Sequence, residues 1–203
     1  IFNLASLKTF RLENNFFFGR LPSQIGQITD LRDLRLSNNN LSGQIPTEIG
    51  YLTALETLRL DSNFWTGTIP DVFGKYERLD FFDLSGNLLG GTIPRSVFEI
   101  PTIRLVYLHN CTLTGTIPTE FSRPPLLRDL YLNGNQITGT IPSIAKGELE
   151  LLNEFLLQNT RISGTMPESI CNLRQNFILD DLWTDCSGPS PEVYCPFPDC
   201  CNR

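Results

Sequence analysis

A pattern of sixteen residues recurs along the chain and constrains what the chain can fold into. Its most regular copy, residues 55–70, reads L-x-x-L-x-L-x-x-N-x-Φ-x-G-x-I-P, in which Φ is large and apolar. Successive copies begin 24 residues apart five times and then 25 residues apart. The first positions of the copies are Leu7, Leu31, Leu55, Leu79, Ile103, Leu127 and Leu152. This self-similarity predicts a solenoid, because one coil alone cannot bury its apolar side and must stack on the next.

The L-x-L step of each copy predicts a short strand on the inner side of the coil. In the third copy Leu58 and Leu60 should point into the core while Arg59 points outward. The ninth position is Asn in five copies, where its amide can donate and accept for backbone groups that would otherwise be unpaired. Cys111 and Thr160 replace this Asn, and we expect them to form weaker hydrogen bonds with the backbone.

The Gly-x-Ile-Pro end of the pattern is the most specific part. Glycine is expected where the backbone turns or closely approaches its neighbour, and proline fixes φ at the start of a short helical turn. This L-x-G-x-I-P signature resembles the plant-type class of leucine-rich repeat proteins, which includes plant receptor ectodomains, polygalacturonase-inhibiting proteins and secreted repeat proteins of diatoms. The resemblance implies an α/β repeat solenoid: a right-handed superhelix with a parallel concave β-sheet, short second β segments, and 3-10 or short helical turns on the convex side.

The chain divides into two predicted regions. Residues 1–173 hold seven plant-type repeats, and we expect the amino-terminal cap to be missing, so that the chain is a fragment of a longer protein. Residues 174–203 form a degenerate repeat and a cysteine-rich carboxy-terminal cap. Leu179 and Leu182 fit the first and fourth positions of a degenerate eighth strand. The tail is similar to the caps of secreted diatom repeat proteins.

Composition excludes several functions and favours an oxidising compartment. A net charge of −6 without a cluster of Lys or Arg argues against nucleic acid. No apolar run approaches the ~18–20 residues of a membrane helix, so we expect no membrane insertion within this segment. No C-x-x-C pair of the zinc type occurs, and we expect neither metal nor cofactor. Six cysteines favour a secreted or cell-surface location.

The disulfide candidates are Cys171, Cys186, Cys195, Cys200 and Cys201. Their connectivity cannot be deduced from spacing. Cys200 and Cys201 are expected to bridge to one of the other three rather than to each other, because adjacent cysteines fit disulfide geometry poorly. Cys111 is expected to be buried and unpaired. Asn40 and Asn110 begin N-x-S/T sequons and are the candidate glycosylation sites.

The outward positions of the inner strands are the candidate ligand-binding surface, on the concave face. An arginine ladder near the amino terminus is followed by an aromatic and apolar patch. The candidate residues are Arg11, Arg35, Arg59, Phe81, Asp83, Tyr107, His109, Tyr131, Leu156 and Trp183. Tyr, Trp and Arg are enriched at interface hot spots. The alternative is that the aromatic residues only stabilise the sheet across strands and that the arginines pair with nearby acids.

Asp61, Ser85 and His109 occupy one column in successive repeats and have the composition of a catalytic triad. A flat sheet face offers no oxyanion hole, so we interpret the column as a row of polar contacts. A second array is a set of Thr-Gly-Thr or Ser-Gly-Thr segments, which resembles the flat faces of ice-binding proteins. The segments are residues 66–68, 114–116, 138–140 and 163–165; Arg20, Gln44 and Gly90 interrupt the row.

The sequence therefore predicts a non-enzymatic extracellular or cell-surface recognition module. Its partner is a protein, peptide or glycan bound through the concave face, and it could form part of a receptor-like protein. One alternative is an inhibitor of a secreted hydrolase, similar to the polygalacturonase inhibitors. Another is ice binding through the threonine rows.

Overall fold

A computed structural model describes residues 6–175, 179–184, 193–194 and 200. Eight short parallel strands form one inner sheet, and their order in the sheet is their order in the sequence. The strands are Thr9–Arg11, Asp33–Arg35, Thr57–Arg59, Phe81–Asp83, Leu105–Tyr107, Asp129–Tyr131, Glu154–Leu156 and Asp181–Trp183. The last strand confirms the predicted degenerate eighth strand, and the whole arrangement confirms the repeat solenoid.

Second β segments follow the inner strands, as predicted. Five of them pair into one outer sheet, and the rest form two pairs. The five are Phe18–Gly19, Asn40–Gly43, Phe64–Thr68, Leu88–Gly91 and Thr112–Leu113. The pairs are Thr138–Gly139 with Arg161–Ile162, and Gly164–Thr165 with Val193–Tyr194.

Helical turns connect the outer strands back to the inner sheet. Five are 3-10 helices: Ser23–Gln27, Thr47–Tyr51, Phe73–Lys75, Arg95–Glu99 and Thr119–Ser122. In four of them the pattern's proline directly precedes the helix with φ between −72° and −60° and extended ψ, so its fixed φ sets where the helix begins. The one α-helix among the described residues is Glu168–Gln175.

The core runs through every coil as stacked layers of aliphatic and aromatic side chains. The middle residue of seven inner strands is fully buried: Leu34, Leu58, Phe82, Val106, Leu130, Phe155 and Leu182. Burial of one such side chain is worth about 1.5–3 kcal/mol. Arg59, between Leu58 and Leu60, is only partly buried, as the alternation predicts.

The buried Asn column joins neighbouring coils. The amide nitrogen of Asn63 donates to the carbonyl oxygen of Leu36 in the preceding repeat at 2.8 Å and to that of Asp61 at 3.0 Å. Its amide oxygen accepts from the backbone N–H of Leu41 at 3.0 Å. Cys111, a weaker position, has only thiol contacts of 3.5 Å and 3.7 Å with carbonyl oxygens.

One disulfide joins Cys171 in the α-helix to Cys200, which agrees with the predicted partners of Cys200. Cys111 is buried and free, as predicted. Cys186, Cys195 and Cys201 lie outside the described residues. Within the described ranges, no helix combines the length and apolarity needed to cross a bilayer. Those ranges also contain no group of His, Cys, Asp or Glu side chains arranged for a metal ion.

Candidate functional site

The inner face consists of the outward side chains of the eight inner strands. In-register parallel pairing brings the fifth position of every repeat into one column. That column is Arg11, Arg35, Arg59, Asp83, Tyr107, Tyr131, Leu156 and Trp183. The structure therefore brings eight of the ten predicted ligand-binding residues into one row, with Phe81 and His109 in the columns on either side.

The arginine ladder is paired with acids of its own face. Asp33 accepts hydrogen bonds from Nε of Arg11 at 2.7 Å and from Nε of Arg35 at 2.8 Å. Nε of Arg59 donates to Asp61 at 3.3 Å and lies 4.0 Å from a carboxylate oxygen of Asp83. The arginines thus pair with nearby acids, which is the alternative to ligand binding given above. These pairs leave little unbalanced positive charge at the amino-terminal end of the inner face.

Asp83 is only 4% exposed, so its side chain lies beneath the surface of the inner face. It accepts hydrogen bonds from the hydroxyl of Ser85 at 2.7 Å and from the backbone N–H of Ser85 at 3.0 Å. Burial, and then the nearby Asp61 carboxylate, raise the pKa of Asp83 to about 6. Such a carboxylate contributes to the floor of the face and is poorly placed for direct contact with a ligand.

The aromatic patch is organised around two stacked tyrosines. The rings of Tyr107 and Tyr131 lie 4.4 Å apart at an interplanar angle of 11°. Phe81 packs its ring against that of Tyr107 at 5.3 Å, and the guanidinium of Arg59 lies 5.3 Å from the centre of the Phe81 ring. Trp183, in the last strand, is 40% exposed. Ring contacts thus run from Phe81 to Tyr131, and the strand register continues the patch through Leu156 to Trp183.

Both tyrosine hydroxyls donate to carboxylates in the adjacent column. Tyr107 donates to Asp129 at 3.2 Å, and Tyr131 donates to Glu154. Burial and the neighbouring Asp129 raise the pKa of Tyr107 to about 12, and burial together with Glu154 raises the pKa of Tyr131 further. The tyrosines are therefore neutral donors at physiological pH, and their rings are held in place by these hydrogen bonds.

The seventh-position column contains polar atoms that lack partners. Nδ1 of His109, Oδ1 of Asn133 and Oε1 of Gln158 are buried and have no hydrogen-bond partner in the part of the chain that the structure describes. Burial lowers the pKa of His109, so its imidazole is neutral at pH 7. A buried polar atom left unpaired costs about 1–3 kcal/mol, so this row lowers the stability of the fold locally. The sequence pattern indicated only His109 as a candidate site residue. That Asn133 and Gln158 also have an unpaired buried atom is evident only from the atomic positions.

The Asp61, Ser85 and His109 column does not form a nucleophile–base pair. The hydroxyl of Ser85 donates to Asp83 instead of to His109. Asp61 accepts a hydrogen bond from the hydroxyl of Ser37. The column is a row of polar contacts, in keeping with our interpretation of the sequence.

The threonine array on the outer side is longer than the sequence pattern indicated. Five threonines that follow the pattern's glycines are all exposed, in five successive repeats: Thr68, Thr92, Thr116, Thr140 and Thr165. Thr92 was missed because its segment reads Gly-Gly-Thr rather than Thr-Gly-Thr. The candidate glycosylation residues Asn40 and Asn110 are also exposed.

The Leucine Rich Repeat family model matches residues 30–52, 102–124 and 126–147. No curated protein matches the sequence.

Three solved structures illustrate the likeness of the fold. The LRR ectodomain of the plant membrane receptor kinase GASSHO1/SCHENGEN3 from Arabidopsis thaliana, in complex with CASPARIAN STRIP INTEGRITY FACTOR 2, is 36% identical over 80% of this chain and 19% of that chain, with a TM-score of 0.77. The Arabidopsis receptor kinase HAESA ectodomain, in complex with an extended IDA peptide hormone, is 26% identical over 98% of this chain and 40% of that chain, with a TM-score of 0.83. A plant ice-binding protein is 25% identical over 88% of this chain and 63% of that chain, with a TM-score of 0.65. The chain thus spans 19% to 63% of the length of these structures.

Proposed function

Because the chain belongs to the plant-type leucine-rich repeat proteins, we propose that it is a non-enzymatic extracellular or cell-surface recognition module that binds a peptide through its inner face. The observation that carries the proposal is the set of ring contacts from Phe81 through the stacked Tyr107 and Tyr131, which the strand register continues through Leu156 to the exposed Trp183. Aromatic side chains of this kind supply large contact areas at protein interfaces. Similar ectodomains whose structures were solved with peptide ligands, and the Cys171–Cys200 disulfide, support an extracellular receptor-like role.

Selection of peptides tests the proposal directly. The folded chain is immobilised and used to select from a phage-displayed library of random linear peptides. We expect enriched peptides that bind the wild type and lose at least tenfold in affinity with Tyr131→Ala, because that change removes one of the two stacked rings. The matched control is Tyr51→Ala, since Tyr51 is exposed on the helical side of the coil.

Circular dichroism and thermal unfolding of each variant establish that the fold is retained. Selected peptides whose affinity falls equally with Tyr51→Ala and Tyr131→Ala would contradict binding at the inner face. Failure to enrich any peptide would contradict recognition of linear peptides.

Inhibition of a secreted hydrolase would use the same inner face. Its measurement is the activity of a pectin-cleaving enzyme with and without the chain. Dose-dependent inhibition that Tyr131→Ala abolishes would favour this alternative over peptide recognition.

Ice binding is the second candidate, and the five-residue threonine row favours it. Exposed hydroxyl and methyl groups recur once per coil along Thr68, Thr92, Thr116, Thr140 and Thr165. The similarity to a plant ice-binding protein agrees with this reading. Thermal hysteresis of the wild type that is lost with Thr116→Leu and kept with Thr53→Leu would support it, whereas freezing without hysteresis would exclude it.

A further inference from the structure

The second half of the inner face, from Leu105 to Trp183, offers a column of carboxylate acceptors. The carboxylates Asp129, Glu154 and Asp181 are register partners in three successive strands. On the other side of the tyrosines lie the uncharged side chains of His109, Asn133 and Gln158, whose polar atoms without a partner in the described ranges are buried. The four inner strands from Leu105 to Trp183 contain no Lys or Arg. This half of the face therefore carries negative charge beside an aromatic centre.

Charge balance distinguishes the two halves of the same sheet. In the first half, Asp33, Asp61 and Asp83 each have an arginine guanidinium nitrogen within 4.0 Å. In the second half, the groups that donate to Asp129 and Glu154 are the neutral hydroxyls of Tyr107 and Tyr131. A carboxylate can accept about four hydrogen bonds, so one hydroxyl leaves it with capacity for a cationic donor.

The nearest basic side chains do not remove this negative charge. Arg104 is paired with Asp80 in the preceding repeat. Arg128 directly precedes Asp129 but affects it least: burial raises the pKa of Asp129 most, the hydrogen bond from Tyr107 lowers it, the Glu154 carboxylate raises it, and Arg128 lowers it. Asp129 and Glu154 are register partners, and neither forms an ion pair with a basic side chain of the described residues, so a cation placed between them would be attracted.

On the basis of the proposed peptide recognition, we infer that this half of the inner face binds an extended peptide segment through a Lys or Arg side chain. The aliphatic stem of such a side chain can lie along the stacked pair Tyr107 and Tyr131, and its cation can reach Asp129 and Glu154. A second copy of this chain is disfavoured as the occupant, because it would place carboxylates against carboxylates. An uncharged glycan would leave the carboxylate pair without a counter-charge.

Defined peptide pools test the inference. Four pools of synthetic peptides share randomised uncharged flanks and differ only in a central residue, which is Lys, Arg, Gln or Glu. Binding of each pool to the folded chain is measured by biolayer interferometry at two salt concentrations. The variants are Glu154→Gln and, as a matched control, Glu150→Gln, because Glu150 is exposed in the turn that precedes the strand of Glu154, outside the inner strands.

We expect the Lys and Arg pools to bind at least tenfold more tightly than the Gln pool, with weaker binding at the higher salt concentration. Glu154→Gln should lower the affinity of these pools at least fivefold, and Glu150→Gln should leave it unchanged. Equal binding of all four pools, or equal losses in the two variants, would overturn the inference while leaving peptide recognition intact. Absence of binding by every pool would also overturn it, and the phage selection then decides separately whether the chain recognises peptides at all.

Discussion

Asp83 is a buried carboxylate that faces a second carboxylate, Asp61, and one guanidinium, Arg59. Burial is the main reason that its pKa rises from 3.8 to about 6. A raised carboxyl pKa means that the folded state holds a proton which the unfolded state has lost. This residue therefore destabilises the fold progressively as pH rises from about 4 to about 6, and its effect is constant outside that window.

Replacement of Asp83 by Asn should remove this pH dependence. Asn carries no charge, so the stability of the variant relative to the wild type should increase between pH 4 and pH 6, by an amount on the order of 2–3 kcal/mol at ~1.4 kcal/mol per pH unit. The measurement is the free energy of unfolding in urea at several pH values. A constant difference between wild type and Asp83→Asn over this range would contradict the raised pKa.

Residue roles could be predicted where they follow from the repeat alone. The role of Asn63 and its equivalents follows from the repeat, because every coil presents the same backbone groups that need a hydrogen-bond partner. Asp83 was predicted to face outward, but alternation says nothing of how deeply a short side chain lies between Arg59 and Ser85. The unpaired atoms of Asn133 and Gln158 could not be predicted, because the lack of a partner depends on distances to several strands.

The outer strands show what the glycine of each repeat contributes at the scale of an element. Gly91 has φ of 73°, and a Cβ at this position would lie 2.7 Å from Cγ2 of Thr68 in the preceding repeat. Gly19 occupies the same motif position with φ of 96°, but nothing lies within 4 Å of its added Cβ. The two glycines therefore differ in contact with the neighbouring coil and share the unusual backbone conformation.

Gly91→Ala should consequently destabilise the chain more than Gly19→Ala. Both variants incur the cost of a positive φ, about 1 kcal/mol or more, and only the first adds a steric conflict between coils. The measurement is the midpoint of thermal unfolding, with Thr68→Ser as a second change that removes the contacting methyl group. Equal midpoints for Gly91→Ala and Gly19→Ala would show that coil contact is not the cause.

At the scale of the whole molecule, each coil contacts its neighbours and stability is shared locally. The Cys171–Cys200 disulfide closes a segment with a sequence separation of 29 at one end of the solenoid. A bridge of this span typically contributes about 2–4 kcal/mol. Its loss should therefore act on the last coils more than on the first.

Cys171→Ser should speed amide hydrogen exchange in Glu154–Leu156 and Asp181–Trp183 and leave Thr57–Arg59 protected. The matched control is Cys111→Ser, in which a buried free thiol of the central region is changed and any effect should centre on Leu105–Tyr107. Exchange that accelerates uniformly along the chain in Cys171→Ser would indicate that the solenoid unfolds as one cooperative unit.

In-register pairing of the inner strands has a directional consequence. A molecule lying across them meets the balanced arginine end, then the tyrosines, and finally Trp183, in the order in which the chain was synthesised. The two ways of laying a linear molecule along this row are therefore chemically unequal. A peptide synthesised with its residue order reversed would present the same composition with the wrong polarity, and its affinity would report whether the protein distinguishes head from tail.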